Sequence, residues 1–357
     1  MKVSILGNGL TSLALAKMLV NHGITVDIFS NEKIKKNSKT QTLSVSKTNI
    51  EFFNKNILNI NKILWRIDKI DIYSENLKNE KILDFQNNKE QLFSILKNAD
   101  LYNLLFSNLK NNKLVKFKKN INYQNLIKKN YDLIFNCDYR NLITKKFFYK
   151  KMDKDYNSFA YVTTIEHSKL PNNHIASQIF TKKGPLAFLP ISAIETSIVY
   201  SVKGNTDLDL NNLIKKYNTK YDILKINSFL KFKLKSLNLR SYYYKNILAF
   251  GDLLHRLHPL AGQGFNMTIR DMKEIIKLIM LKKENGLDLD STICSDFEKN
   301  TKSKNYLFAY GVDLIYEIFN IENKISNTSI SRSIKFLGKN KIMNKFFTKF
   351  ADNGIVT

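Results

Sequence analysis

The sequence predicts an α/β protein: a βαβ-based domain interrupted by a sheet-rich insertion and followed by a helical tail. Three observations predict it. First, KVSIL at 2–6 reads as a buried strand, 7–9 as a glycine turn, 10–22 as a helix and ITVDIF at 24–29 as a second strand, completing a βαβ unit. Second, strand signals dominate from about 156 to 202, in AYVTTIEH, ASQIFT, PLAFLPI and TSIVYSV. Third, NILAFGD at 246–252 forms another buried strand that runs into a loop with two His, a Pro and two Gly, and then into a helix.

The elements follow in order. Leu13, Ala16, Met18 and Leu19 give the first helix its packing face, and Gly23 ends it. A polar, Lys-rich loop covers 31–41, and a helix follows at 46–57. Residues 64–93 alternate (Trp65, Ile67, Ile70, Ile72, then Ile82, Leu83, Phe85) and read as sheet. Helical spacing returns over 97–110 with Leu101, Leu104, Leu105 and Leu109, and DLIFNCD at 132–138 is a further buried strand. Met267, Met272, Ile275, Ile276 and Ile279 face inward on a helix over 265–282, and 292–350 is helical and basic.

Composition limits the function classes. Of 357 residues, 43% are hydrophobic and 25% charged, so the chain can bury a core and is long enough for two joined domains. Two cysteines, Cys137 and Cys294, make neither a disulfide framework nor a thiolate zinc site, and a reducing, cytoplasmic setting fits them. The formal charge of +26 invites a nucleic-acid partner. Against that, the positive residues are overwhelmingly Lys, with arginine only at 66, 140, 240, 256, 270 and 332, whereas base and phosphate readout favours the planar Arg fork. The Lys excess accompanies heavy Asn and Ile use along the whole chain, a bias on solvated surfaces, so no nucleic acid is expected. The charge does favour anionic surfaces such as membranes. No apolar run reaches the roughly 20 residues that cross a bilayer. An N-terminal signal-peptide reading is opposed by Gly7, Asn8 and Gly9, which interrupt the apolar stretch.

Gly7-Asn8-Gly9-Leu10-Thr11-Ser12 is the first motif that carries chemistry. Gly7 permits the turn out of the strand, Gly9 lets backbone approach a pyrophosphate, and the small Ser12 lets the helix sit close to the strand. Phosphates would lie at the helix N-terminus, where free N–H groups and the dipole favour negative charge. An acidic residue for the ribose is expected near Ser30; Asp27 and Glu32 stand close by, as ribose ligands or as plain charged residues, and Ser30 itself could donate. The second motif spans Gly251 to Asn266, GDLLHRLHPLAGQGFN. Without Cβ atoms at Gly262 and Gly264 a flat ligand can lie against the backbone, and the helix start points N–H groups at developing negative charge.

This stretch resembles the second flavin motif of the FAD-dependent aromatic hydroxylases related to para-hydroxybenzoate hydroxylase. Within that superfamily the resemblance is strongest to the ubiquinone-biosynthesis hydroxylases and covers nearly the whole chain. KTQTLS at 39–44, NADL at 98–101, ASQIF at 176–180, GPLAFLPI at 184–191, SIVYSV at 197–202 and NMTIRD at 266–271 support it. The resemblance implies a Rossmann-like FAD-binding domain (1–65, 94–150 and 245–290), an interleaved β-sheet substrate domain (66–93 and 151–244) and C-terminal helices (291–357). By position, Gly7, Gly9 and Ser12 would hold the FAD pyrophosphate, and Lys39 stands where the family has Arg near the cofactor. Asp252 would bond the ribityl chain, and Pro259, Gly262, Gln263 and Gly264 would border the isoalloxazine. The helix from Asn266 would stabilise charge on the reduced ring. The family's Gly-Ala-Asp-Gly segment appears as Asn136-Cys137-Asp138-Tyr139: Asp138 is retained, Tyr replaces a turn glycine, and Lys145 replaces Arg.

The implied activity is hydroxylation of a polyprenylated phenol on the route to ubiquinone. It would use NAD(P)H and O2 through a flavin hydroperoxide, at a cytoplasmic site open to peripheral membrane contact and to other ubiquinone-biosynthesis proteins. A non-catalytic FAD-binding accessory protein of the same pathway is the alternative, motivated by the altered 136–139 segment. No metal is expected: His255 and His258 lack a Cys or carboxylate cluster and read as loop-ordering residues. Cys137 reads as packing, and no nucleophile elbow appears. IKFLGKNKIMNKFFTKF at 334–350 reads equally as a membrane-surface helix and as a docking helix with a Lys-rich outer face.

Overall fold

The computed structural model describes residues 1–30, 40–86, 91–119, 126, 131–204, 208–258, 264–325, 331–333 and 335. The expected βαβ unit forms: strand Lys2–Leu6, helix Leu10–Asn21 and strand Thr25–Phe29. Lys2–Leu6 lies inside a six-stranded sheet, parallel to Thr25–Phe29 on one side and to Leu133–Asn136 on the other. Val115–Lys118 extends one edge, and Ile247–Ala249 with its hairpin partner Tyr243–Tyr244 the other. The central strands are buried on both faces, polar Ser4, Asp27 and Asn136 included, because helices cover both. Leu13, Leu15, Met18 and Leu19 of the first helix, Leu101 and Leu105 of helix Asn98–Lys110, and Met272, Ile275 and Ile279 of helix Gly264–Glu284 close one continuous core.

A second, nine-stranded sheet is almost wholly antiparallel. Its spatial order is His255–Arg256, Leu230–Leu239, Lys151–His167, Glu195–Lys203, Gly184–Pro190, Ile175–Thr181, Lys69–Ser74 and Glu80–Gln86, with Ile223–Ile226 beside Lys151–His167. Helix Leu210–Tyr217 brings Ile214 and Tyr217 into a core with Tyr161, Phe188 and Tyr200. Helix Ser291–Ile325 packs Phe308, Ala309 and Val312 with Ile82, Phe180, Leu257 and Met267. A three-stranded sheet joins Thr42–Ser46, Phe93–Lys97 and Trp65–Ile67. It is tied to the large sheet by a Thr42–Ser197 hydroxyl pair at 2.9 Å and by Lys97 Nζ to Glu195 Oε2 at 2.7 Å. Trp65–Ile67 straddles the boundary expected at residue 65.

Several elements escaped the sequence reading, among them helices Leu142–Phe147 and Leu210–Tyr217 and strands Thr42–Ser46 and Ile223–Ile226, besides two Lys-rich strands. Val115–Lys118 (VKFK) and Leu230–Leu239 (LKFKLKSLNL) alternate Lys with apolar residues; Val115 and Leu234 are buried, whereas Phe117 and Phe232 are exposed. Alternation over 230–235 in the second was the available signal. The helix expected over 292–350 runs Ser291–Ile325, and most of 334–350 lies outside the described residues.

One connection positions the site. Ile247–Ala249 belongs to the parallel sheet, and His255–Arg256 to the edge of the antiparallel one. The chain therefore crosses between the two sheets within residues 250–254, where the Gly-Asp pair stands.

Candidate functional site

The first glycine turn is shaped as a cradle. Gly7 holds φ +111°, and its N–H donates to the Phe29 carbonyl at 2.8 Å, closing the turn onto the second strand. A Cβ on Gly7 would meet Ser12 Oγ at 3.2 Å and Asp138 Cβ at 3.6 Å. Gly9 is the helix N-cap with φ −76°, no side chain caps the first turn, and no acidic residue lies in it. A Cβ on Gly9 would point into open space. A helix end with uncapped N–H groups facing open space suits a bound phosphate.

The second motif closes on the first. Gly251 has φ +65°, and a Cβ there would sit 2.7 Å from Thr11 Cγ2 and 2.9 Å from Thr11 Oγ1. The Gly-Asp bend thus presses directly on the first turn of the first helix, and only glycine permits that approach. Asp252 is exposed beside it. The Cys137 thiol reports the same convergence: burial pushes it up to about 12, the nearby Ser12 hydroxyl opposes this, and the charges of Asp252 and Asp138 add to the rise. Ser12, Cys137, Asp138 and Asp252 are neighbours, and Cys137 is no thiolate.

The departure at 136–139 is built without strain. Tyr139 is not among the residues with positive φ, so the position needs no glycine. A polar network that sequence reasoning missed shapes the turn. Asn141 Nδ2 donates to Asn136 Oδ1 at 2.7 Å, Asn136 Nδ2 to Thr144 Oγ1 at 2.8 Å, and Thr144 Oγ1 to the Asp138 carbonyl at 2.7 Å. Asn141 also caps helix Leu142–Phe147 by accepting from Thr144 N at 2.8 Å. The N-cap Asn before a short helix was the available signal.

Both histidines of the loop are buried and bind protein, as their loop-ordering role requires. His255 Nε2 hydrogen-bonds Asp271 Oδ2, and Asn305 Nδ2 donates to the other Asp271 oxygen at 3.0 Å. His258 lies against Tyr156 and Tyr316, with ring centroids 4.9 and 4.3 Å away. Tyr156 donates to Asp313, and Tyr316 pairs with Ser158 Oγ at 3.0 Å. Burial first, and Lys154 second, pull the His258 pKa down from 6.5 to about 3, with Glu317 opposing. In the unfolded chain His258 takes a proton near pH 6.5, whereas the folded chain refuses it until about 3, so this residue lowers stability as pH falls through that window. The size is up to about 1.4 kcal/mol per pH unit below the unfolded pKa. A His258→Phe variant is expected to lose stability less steeply than the parent between pH 7 and 5; parallel melting curves across that range would refute this. Among the described residues no group of three His, Cys, Asp or Glu could hold a metal.

The helix of the motif is described over Gly264–Glu284, with Asn266 in its first turn. A Cβ on Gly264 would also face open space. Asn266 is buried, and its side chain is committed to protein. Its Oδ1 accepts from Ser46 N at 2.9 Å and Asn49 Nδ2 at 3.0 Å, while its Nδ2 donates to the Ser44 carbonyl at 2.9 Å. Any influence on a ligand passes through the elements it braces. Asp27 is removed from the ribose candidates: it is fully buried, 2.6 Å from Lys118 Nζ, 2.6 Å from the Tyr131 hydroxyl and 3.6 Å from Lys2 Nζ. Burial raises its pKa, but these donors and cations outweigh it and hold the carboxyl below its usual range. Lys39, Pro259, Gly262, Gln263 and the ribose candidate Glu32 lie outside the described residues.

The parallel sheet, the sheet-rich insertion and the glycine bends between them are the fold of the FAD-dependent aromatic monooxygenases. Over 99% of this chain and 98% of the other, it superposes on p-nitrophenol 4-monooxygenase PnpA from Pseudomonas putida with a TM-score of 0.79 at 12% identity. With Klebsiella pneumoniae HpxO, solved with FAD and uric acid, the TM-score is 0.75 at 12% identity, over 98% of this chain and 97% of that one. In sequence the chain is similar to the ubiquinone biosynthesis monooxygenase COQ6 of Schizosaccharomyces pombe, 23% identical over 273 residues. That match covers 62% of this chain and 57% of the yeast protein, so the chain spans little more than half the length of its relative. No family model matches the sequence.

Proposed function

We propose that this protein binds FAD and hydroxylates the aromatic ring of a polyprenylated phenol or benzoquinol in ubiquinone biosynthesis, with NAD(P)H as reductant and O2 as oxidant. The observation that carries the reading is the contact of Gly251 with Thr11, which brings two glycine motifs far apart in sequence onto one cradle. The cradle suits the cofactor. Gly7 and Gly9 leave room for a pyrophosphate at an uncapped helix end, and Asp252 stands exposed to accept from ribityl hydroxyls. Ser12, Asp138 and Gly264 complete the described part of the proposed site; Lys39, Pro259, Gly262 and Gln263 are assigned to it from sequence alone. Bound flavin supplies reduction and oxygen activation.

The chain's own share is to bind, orient and exclude water. Residues 1–65, 94–150 and 245–290 would hold the flavin, 66–93 and 151–244 the substrate, and 291–357 would form the C-terminal helices. The His255–Asp271–Asn305 bonds and the His258 aromatic contacts hold the entry to the 259–263 loop, and Asn266 holds its exit. The accessory-protein alternative rested on the altered turn at 136–139, which takes an ordinary backbone at Tyr139. Among the described residues no helix is long and apolar enough to cross a membrane. A prenyl tail would place the protein at the inner face of a lipid bilayer, to which its charge of +26 is attracted.

The test is direct. Purified protein is expected to be yellow, or to quench added FAD fluorescence at stoichiometric amounts, and to oxidise NAD(P)H faster when a prenylated phenol is present. Protein that stays colourless and leaves FAD fluorescence unchanged would remove the cofactor. FAD binding without stimulated oxidation would favour the accessory protein.

A further inference from the structure

One edge of the parallel sheet carries an exposed aromatic and basic face. Residues 139–152 (YRNLITKKFFYKKM) hold five cationic residues and no acidic one, and residues 240–251 hold no acidic one either. Ile143 and Phe148 anchor helix Leu142–Phe147 and the residue after it in the main core. On the outer side Leu142 is 63% exposed and Tyr149 is 62% exposed. Tyr244 of the edge hairpin stacks on Phe147, with ring centroids 3.9 Å apart and planes 12° from parallel. The Arg240 N–H donates to the Lys150 carbonyl at 2.9 Å and joins the two segments.

Each ring of this face carries its own lysine. Lys146 Nζ stands 5.3 Å from the Phe147 centroid, Lys150 Nζ 5.9 Å from that of Tyr149, and Lys245 Nζ 5.8 Å from that of Tyr244. Arg140 and Lys151 beside them are ion-paired, with Asp138 and Asp153. Among the described residues, Lys146, Lys150 and Lys245 have no carboxylate within ion-pair distance.

We infer that this face docks on the headgroup layer of an anionic lipid bilayer. Leu142 and the rings would bury apolar area at the headgroup boundary while the lysines reach the phosphates. Tyrosine suits that boundary because its ring is apolar and its hydroxyl stays wet. Attraction to the surface fades within a Debye length, so lysines count only on the side that makes contact. A nucleic acid fits less well. The flat faces of Phe147 and Tyr244 are turned to each other, which leaves no open face between them for a base. The purpose of docking rests on the prenylated substrate of the proposed function; the face itself rests on the residues above.

Flotation of the full chain with phosphatidylcholine vesicles, with and without phosphatidylglycerol, tests the face. The parent is expected to bind only the anionic vesicles and to be released as salt rises. Lys146→Gln, Lys150→Gln and Lys245→Gln combined are expected to lower partitioning about a hundredfold, roughly fivefold for each lysine. Lys110→Gln, Lys113→Gln and Lys116→Gln combined remove the same charge at the opposite edge of the sheet and are expected to bind nearly as the parent does. Leu142→Ser with Tyr149→Ser is expected to weaken binding at high salt as well as low. All three variants change exposed side chains, so parental melting temperature, FAD Kd and turnover of a short-chain phenol in solution are expected. Equal losses from the two triple variants would reduce the attraction to net charge and overturn the face, as would parental binding by the first. An oligonucleotide that displaces the vesicles and depends on the same three lysines would assign the face to nucleic acid and overturn it too. Vesicle docking by a protein that takes no FAD would remove the flavin reading and leave the face standing. FAD binding and turnover by a parent that ignores anionic vesicles would do the reverse.

Discussion

Gly251→Ala is expected to abolish FAD retention and to destabilise the fold by about 2–5 kcal/mol, combining a left-handed backbone with an overpacked contact. The left-handed part follows from φ +65°, the overpacking from Thr11 at 2.7 Å. The neighbour cannot yield easily, because Thr11 is β-branched and sits in the first turn of a helix whose inner face is buried. A compensating Thr11→Ala change removes the two nearest atoms and leaves the Thr11 Cβ position at 3.1 Å. The double variant is therefore expected to regain the packing loss but not the backbone loss. Chemical denaturation of the four proteins measures the coupling. Strictly additive effects would mean that the two motifs do not touch, and the cradle would fall with that contact.

Asn266→Ala is expected to cost about 3–5 kcal/mol, because it strands several buried partners at once. Ser46 N, the Ser44 carbonyl and Asn49 Nδ2 all lose their bond to one side chain that is 1% exposed, and Asn49 Nδ2 keeps only its 3.3 Å bond to the Asn266 carbonyl. Asn266→Asp keeps the shape but turns an oxygen toward the Ser44 carbonyl, so it is expected to fare little better. Flavin affinity should fall in proportion to the loss of fold, since the strand Thr42–Ser46 and the helix Gly264–Glu284 are joined through this residue. A variant of parental stability with weakened FAD binding would show instead that Asn266 acts on the ligand itself.

Local pattern carried much of this protein. The βαβ unit was legible because its strands are mostly apolar, its helix shows a packing face, and glycine marks both turns. The Gly251–Asn266 motif was legible because Gly, Pro and His in a loop between strand and helix are informative residue types. Strands such as Val115–Lys118 were not, because Lys on the wet face hides a short apolar pattern.

Side-chain allegiance was decided elsewhere. From sequence, Asp27 could hold a ribose and Asn266 could face the flavin. In the fold, Asp27 is claimed by Lys118 and Tyr131, and Asn266 by Ser44, Ser46 and Asn49. The chain alone determined that two glycine bends and a βαβ unit would form, because backbone freedom and hydrophobic periodicity are properties of neighbouring residues. Only the tertiary structure decided that Gly251 meets Thr11, that Phe147 meets Tyr244, and which polar groups stay free for a ligand. A buried polar atom must take whatever partner the packing brings, and that partner comes from a distant part of the chain.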